Sequence, residues 1–255
     1  MTTAQSQMSF VLTVAESKRL IAKGVAKCPV VLAALKKGIV AVAKGTTNGY
    51  IVEELTGQRI HKPHYCTGTT TPHGRAPGVE LANKLPDLVL RDGQRWEGVS
   101  ATEAAAQMKA GDVFIKGANA LNYERRQAGI LVGHPTGGTI GAAIGTVTAR
   151  RATLLLPVGL EKSVPGDLRE PQRLLNQAGE AGSGPILWTV DGEIFTELEA
   201  LHVLCGVEAR AIGAGGILGA EGSVRIAVWG GKEQLELVES LLAGIYGEAP
   251  FGHSP

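Results

Sequence analysis

The stretch that most constrains the fold runs from Lys36 to Leu55, KKGIVAVAKGTTNGYIVEEL. Its order is strand, tight polar loop, helix. Ile39 to Ala43 is a short apolar run, the pattern of a strand buried on both faces of a parallel sheet. Lys44, Gly45, Thr46, Thr47 and Asn48 follow where that strand ends, and the residues from Gly49 to Leu55 start a helix. A helix N-terminus offers unpaired N–H groups and a partial positive charge, which suit an anion. The loop 44–48 is therefore expected to hold a phosphate or carboxylate through its N–H groups, Thr46, Thr47 and Lys44. The same letters also fit an ordinary turn with threonine caps, because a fold element alone does not fix function.

The length of 255 residues allows one large domain, or a large one with a small one. A chain 44% hydrophobic and 19% charged is an ordinary globular sequence. The formal net charge of +1 gives no electrostatic case for nucleic acid or an anionic membrane. No basic helix or aromatic stacking motif adds one. Cys28, Cys66 and Cys205 make no disulfide framework and fit a reducing cytoplasm. Residues 1–10 have no charged start followed by an apolar core, so no signal peptide is expected. Gln127 to Ala149 lacks Asp, Glu, Lys and Arg, but His134, Pro135 and several threonines break it. It reads as a buried helix whose Gly137, Gly141 and Gly145 face packs closely on a sheet or ligand, not as a membrane span.

Helices are expected over Glu16–Lys27 and Pro29–Lys37, the second with proline in its first turn. Asp92-Gly93 signals a hairpin, and Ser100-x-x-Glu103 is a capping box opening a helix that runs to Lys109. Further strands are Asp112–Ile115, Ile130–Val132 and Ala152–Val158. The loops after Ala43, Ile115 and Val132, with a fourth at 159–164, then leave the carboxyl ends of apolar strands, where open α/β sheets bind ligands. After the linker-like 178–185, the order strand, capped helix, two strands, helix suggests a small split unit. The expected fold is α/β. A Rossmann-like, mostly parallel sheet with helices on both faces covers 1–180, and a small βαββα, ferredoxin-like unit covers 181–250.

Lys116, at a strand end beside Gly117, can bind a phosphate or polarise a carbonyl. Glu124 is a candidate general base if a helix starts near Asn119, although a solvated run of Glu124, Arg125 and Arg126 explains the same letters. Asn119 either enters the site or makes a turn. His134 is a candidate acid or base on a loop whose Thr136, Gly137 and Gly138 would line the site, and Lys162 lies on the fourth loop. His61, His64, Cys66 and His73 share one loop, but their spacing matches no metal motif, so no metal and no cofactor are expected. With Lys62 and Arg75 nearby, that loop reads as one closing over an anionic ligand. No nucleophile elbow, Walker loop or dinucleotide fingerprint occurs after the first strand.

A family resemblance sits on these segments. Ala22-x-Gly24-Val25-Ala26, then Lys37-Gly38-Ile39-Val40-x-Val42-x-x-Gly45-Thr46-Thr47 and Tyr50-Ile51, resembles the opening of type A ribose-phosphate isomerase. Ile115-Lys116-Gly117-x-x-Ala120-Leu121-x-x-Glu124-Arg125 is similar to its lysine–glycine segment ending in a catalytic glutamate, and Leu156-Pro157-Val158 to its later strand. The superfamily joins sugar-phosphate isomerases, glucosamine-phosphate deaminases and coenzyme A transferases. The acidic motif that precedes the lysine–glycine segment in the isomerase has no equivalent here; Ala104 to Lys109 stands in its place. The resemblance implies a site for a small anionic, phosphorylated substrate, with Lys116 stabilising an enediolate and Glu124 moving the proton. It also leaves acyl or coenzyme A transfer open, and a ligand sensor or assembly subunit that kept the fold without the chemistry. A homo-oligomer is the expected assembly.

Overall fold

The computed structural model describes residues 6–68, 70, 71, 73, 84–179 and 182–252. It is a mixed α/β chain built around one six-stranded sheet and two three-stranded ones. The large sheet contains β2 (Ile39–Val42), β3 (Leu88–Arg91), β4 (Gln94–Arg95), β5 (Val113–Ile115), β8 (Thr153–Pro157) and β10 (Glu193–Phe195), in the order β10-β8-β5-β2-β3-β4. The four strands β10, β8, β5 and β2 run parallel, and β3 and β4 are antiparallel additions on one side. Every residue of β2 and β5 is buried, as the apolar run 39–43 requires. The expected hairpin is present, with Asp92 and Gly93 both at positive φ in its turn.

Antiparallel strands make up the other two sheets. One is β1 (Ser6–Leu12), β12 (Val224–Gly230) and β11 (Glu208–Ala214), with β12 in the middle. The other is β6 (Ala120–Asn122), β7 (Gln127–Val132) and β9 (Ile186–Val190), with β7 in the middle. Three sequence expectations change as a result. The strand at 130–132 belongs to the second small sheet, so its loop does not leave the large one. The strands after residue 180 do not form one βαββα unit: β9 pairs with β7, β10 with β8, and β11 and β12 with the N-terminal β1. The boundary expected near 180 therefore divides no sheet from another. Residues 120–132, read as a helix start followed by a strand, form the β6–β7 hairpin.

Helix α1 (Val14–Lys27) packs against α3 (Thr46–Thr56) and α7 (Glu197–Cys205). Its start is fixed by Thr13 and Glu16 in a reciprocal capping box. The approach to α7 is close: a Cβ on Gly24 would lie 2.6 Å from that of Ala200 and 3.0 Å from the Phe195 ring. The four consecutive polar residues Glu16, Ser17, Lys18 and Arg19 are all buried. Arg19 is neutralised on three sides, by Glu53, Glu54 and Glu248. Glu53 also meets Lys62, and both Arg19 and Lys62 stack over the Tyr50 ring. Burial pushes the Glu53 carboxyl up, but Arg19, the Ile60 N–H and Lys62 outweigh it and leave it below the usual range. Such a network ties α1, α3 and the end of the chain together; breaking one partner would strand buried charge.

Candidate functional site

The carboxyl ends of the four parallel strands are stitched side by side. Ala43 N–H donates to the Ile115 carbonyl (3.0 Å), Lys116 N–H to the Leu155 carbonyl (3.0 Å), and Val158 N–H to the Phe195 carbonyl (3.0 Å). Beyond this seam each strand releases charged residues: Lys44 after β2, Lys116 after β5, Glu161 and Lys162 after β8, and Glu197 after β10. Ser17 and Lys18 of α1 join them, because the Ser17 hydroxyl bonds Glu197 and the Lys18 ammonium feels Lys162 and Glu161. Five ionisable side chains from four different elements thus share one edge: Lys18, Lys116, Glu161, Lys162 and Glu197.

Their surroundings set their protonation. Burial lowers the Lys18 amine, and Lys162 adds to this while Glu161 opposes it. Burial also lowers Lys162, against the pull of Glu161 and Glu197; its ammonium donates to the Ala118 carbonyl at 2.8 Å. Lys116 is lowered by burial and then by Lys162, with no carboxylate opposing. Among the described residues its amine has no ion pair and no hydrogen bond. Glu197 is completely buried at the first turn of α7, where its two oxygens accept from Leu160 N–H at 3.0 and 3.2 Å. Burial, with Glu161 beside it, pushes its carboxyl up from 4.5 to about 8, so it holds a proton at neutrality. Glu161 folds back over Gly159, where any side chain would collide with its carboxylate, and one of its oxygens is buried without a partner.

The loop 44–48 lies next to this cluster. Asn48 is fully buried, and its amide donates to the Ala43 carbonyl at 2.7 Å and the Ile115 carbonyl at 3.4 Å. It therefore bridges the exits of β2 and β5. Its Oδ1 is unpaired and would lie 4.0 Å from a Cβ at Gly117. The buried Thr47 hydroxyl is also unpaired. The helix begins at Thr46, earlier than expected, with Gly45 N–H bonded to the Tyr65 carbonyl at 2.9 Å. Lys44 leans to Asp87, 3.8 Å away.

Asn48, Lys116, Gly117 and Lys162 are thus brought together, with Thr47 on the same first turn of α3 as Asn48. Other expected site residues are not part of the cluster. Glu124 is exposed in the tight β6–β7 turn, where Arg126 has positive φ, and not two helical turns beyond Asn119. Asn119 accepts Leu131 N–H at 3.0 Å and so helps pair that hairpin. His134 and Thr136 lie exposed on the loop between β7 and α5 (Gly138–Ala149), bonded to each other at 2.9 Å. Gly137 packs against Gly141 and the Trp188 ring, and it and Gly138 both have positive φ. His61 and His64 meet edge to face. No group of three or more possible metal ligands occurs among the described residues, and Arg75 lies outside them.

Ser17, Lys18, Glu161 and Glu197 carried no signal in the sequence reading. Glu197 follows a three-residue strand too short to show a pattern, and Lys18 sits in a helix whose polar run looks solvated. Two hollows lie elsewhere. One of about 440 Å³ runs along α6 (Arg169–Gln177), and one of about 700 Å³ lies between α7 and β12, lined by Tyr123, His202 and Trp229. Neither contains a lysine; the second is lined by Glu199, which burial pushes up but the bonds from Thr196 hold below the usual range, and by Tyr123, which burial raises, with the Arg210–Glu208 pair beside them. The sheet edge differs in gathering three lysines that burial lowers beside a raised carboxyl, and clusters of perturbed groups mark sites for chemistry. No helix among the described residues is long and apolar enough to cross a membrane. No protein-family model, no curated protein and no solved structure matches the chain.

Proposed function

We propose that the carboxyl edge of the large sheet is the active site of an enzyme that moves a proton on a small anionic, carbonyl-bearing substrate, in the manner of the sugar-phosphate isomerases. A single observation carries this reading: Lys18, Lys116 and Lys162 crowd together without enough carboxylate charge to neutralise them, beside a glutamate that is protonated at neutral pH. Crowded ammonium groups are an anion site, since a bound phosphate or carboxylate relieves their repulsion. Lys18 and Lys162, which keep Glu161 as a partial counter-ion, hold the anion. The unpaired Thr47 hydroxyl and the buried Thr47–Asn48 turn supply further donors.

Proton transfer then falls to Glu197 with Glu161, replacing the role first given to Glu124. A carboxyl titrating near neutrality both gives and takes a proton efficiently. The Rossmann-like description of the parallel strands and their loops belongs to the same proposal, and the resemblance of the 115–117 segment to the isomerases supports it.

The test uses a panel of aldose and ketose phosphates and coenzyme A esters, read by thermal shift and by solvent-deuterium incorporation next to the substrate carbonyl. A stabilising sugar phosphate that exchanges its proton is expected, with Glu197→Gln lowering exchange about 10²–10⁴-fold. Stabilisation by coenzyme A esters alone would replace this reading with acyl transfer. Binding without exchange would leave a sensor.

A further inference from the structure

Lys116 differs from its two neighbours in one respect. Lys18 feels Glu161, and Lys162 feels both Glu161 and Glu197 while donating to a carbonyl. Lys116 has no ion pair and no hydrogen bond among the described residues, and the Lys162 ammonium is held close by, on the carbonyl of Ala118 at 2.8 Å, where it lowers the Lys116 amine further than burial alone. It follows β5, in the central part of the parallel sheet, its own N–H fixed to the Leu155 carbonyl, and the residue is half-buried. A lysine beside a second ammonium, without a counter-ion and partly desolvated, is the arrangement that makes an amine a nucleophile. The neighbouring Gly117 adds no side chain to block approach.

We propose that Lys116 is a covalent catalytic residue that forms an imine with the carbonyl of a small anionic aldehyde or ketone. The inference rests on the reading of this edge as a site for an anionic carbonyl substrate and names the chemistry that follows. The neutral Nζ adds to the carbonyl carbon; a C–N bond forms and the carbonyl π bond opens. The nitrogen, now cationic, passes one of its protons to the oxygen, and the resulting hydroxyl leaves as water when the Lys162 ammonium supplies the second proton. The nitrogen lone pair closes the C=N bond, leaving a protonated imine on Lys116 and a neutral amine on Lys162. The cationic imine is an electron sink: it acidifies the adjacent C–H, whose proton a carboxylate of the Glu161–Glu197 pair takes up. No oxidant or reductant is consumed.

Full-length protein incubated with glyoxylate and then with borohydride tests this, since hydride reduces an imine to a stable secondary amine. The expected result is a single adduct by intact mass, mapped by peptide sequencing to residue 116 and suppressed by inorganic phosphate. Lys116→Arg, which keeps a long basic side chain at this position, should lose at least about tenfold of the trapping, as a guanidinium is not a nucleophile at these pH values. Lys116→Met serves as the second variant, and each is checked for an unchanged thermal melt. Phosphate should still raise the melting temperature of Lys116→Arg. Adducts spread over exposed lysines, or no adduct while phosphate still binds the wild type, would overturn the imine and leave the anion site standing. Failure of phosphate to stabilise the wild type would instead overturn the anion site itself.

Discussion

At the residue scale, the charged edge shows how burial converts ordinary letters into reactive ones. Lys116 and Lys162 were legible because each follows an apolar strand, and position at a strand end is visible in sequence. Glu197 was not, because its protonation comes from burial, which packing decides, and from Glu161, 36 residues earlier. That protonation has a measurable sign. The folded-state pKa, raised from 4.5 to about 8, means the folded protein holds a proton that the unfolded chain releases across that interval. The stabilising contribution is complete below the ordinary glutamate value and is lost as pH rises through the folded one. Replacing Glu197 by glutamine keeps an acceptor for Leu160 N–H and removes the titration. Melting curves from about pH 5 to about pH 9 should therefore decline less steeply for Glu197→Gln, and the variant should melt several degrees higher at the alkaline end, given about 2–4 °C per kcal/mol in a chain of this size. Equal slopes for the two proteins would refute the raised pKa.

Among the elements, most helices and three of the four parallel strands, β2, β5 and β8, followed from periodicity and caps, and the exceptions have local causes. A helix starting near Asn119 and a turn there both fit the letters, and the turn holds: Asn119 and Asn122 spend their side chains on Leu131 and Arg125 N–H groups, which close a hairpin. β1 was missed because Ser6 to Leu12 has half-exposed residues and shows its role only when β12 lies beside it. The α1–α7 contact is a sharper case. Alanine is ordinarily favoured over glycine in a helix by about 0.5–1 kcal/mol. At residue 24, however, the added methyl would press on the backbone of Ala200 at 2.7 Å, and neither helix has slack there. Gly24→Ala should thus destabilise by a net ~1–3 kcal/mol, seen as a lower denaturation midpoint in urea. Because α1 carries Lys18 and α7 carries Glu197, the same substitution should weaken stabilisation by phosphate.

Over the whole molecule, the three sheets interleave distant parts of the chain. A division at about 180 looked natural from the glycine-rich composition of 178–185, but composition reports local stiffness and not strand partners. β8 needs β10, β7 needs β9, and β1 needs β12. A fragment of residues 1–180 should accordingly show no cooperative melt by circular dichroism, whereas the full chain melts in one transition; a folded 1–180 fragment would prove the later strands dispensable. The pairing of β1 with β12 carries a further consequence for biosynthesis. The first strand leaves the ribosome while its partner, roughly two hundred residues downstream, is still unmade, a wait on the order of 10–40 s at ordinary elongation rates. During that wait α1 has neither α7 to cover it nor Glu248 to neutralise it. The polar run Glu16 to Arg19 stays uncovered on the nascent chain until α7 and Glu248 have been translated, and only then becomes an interior.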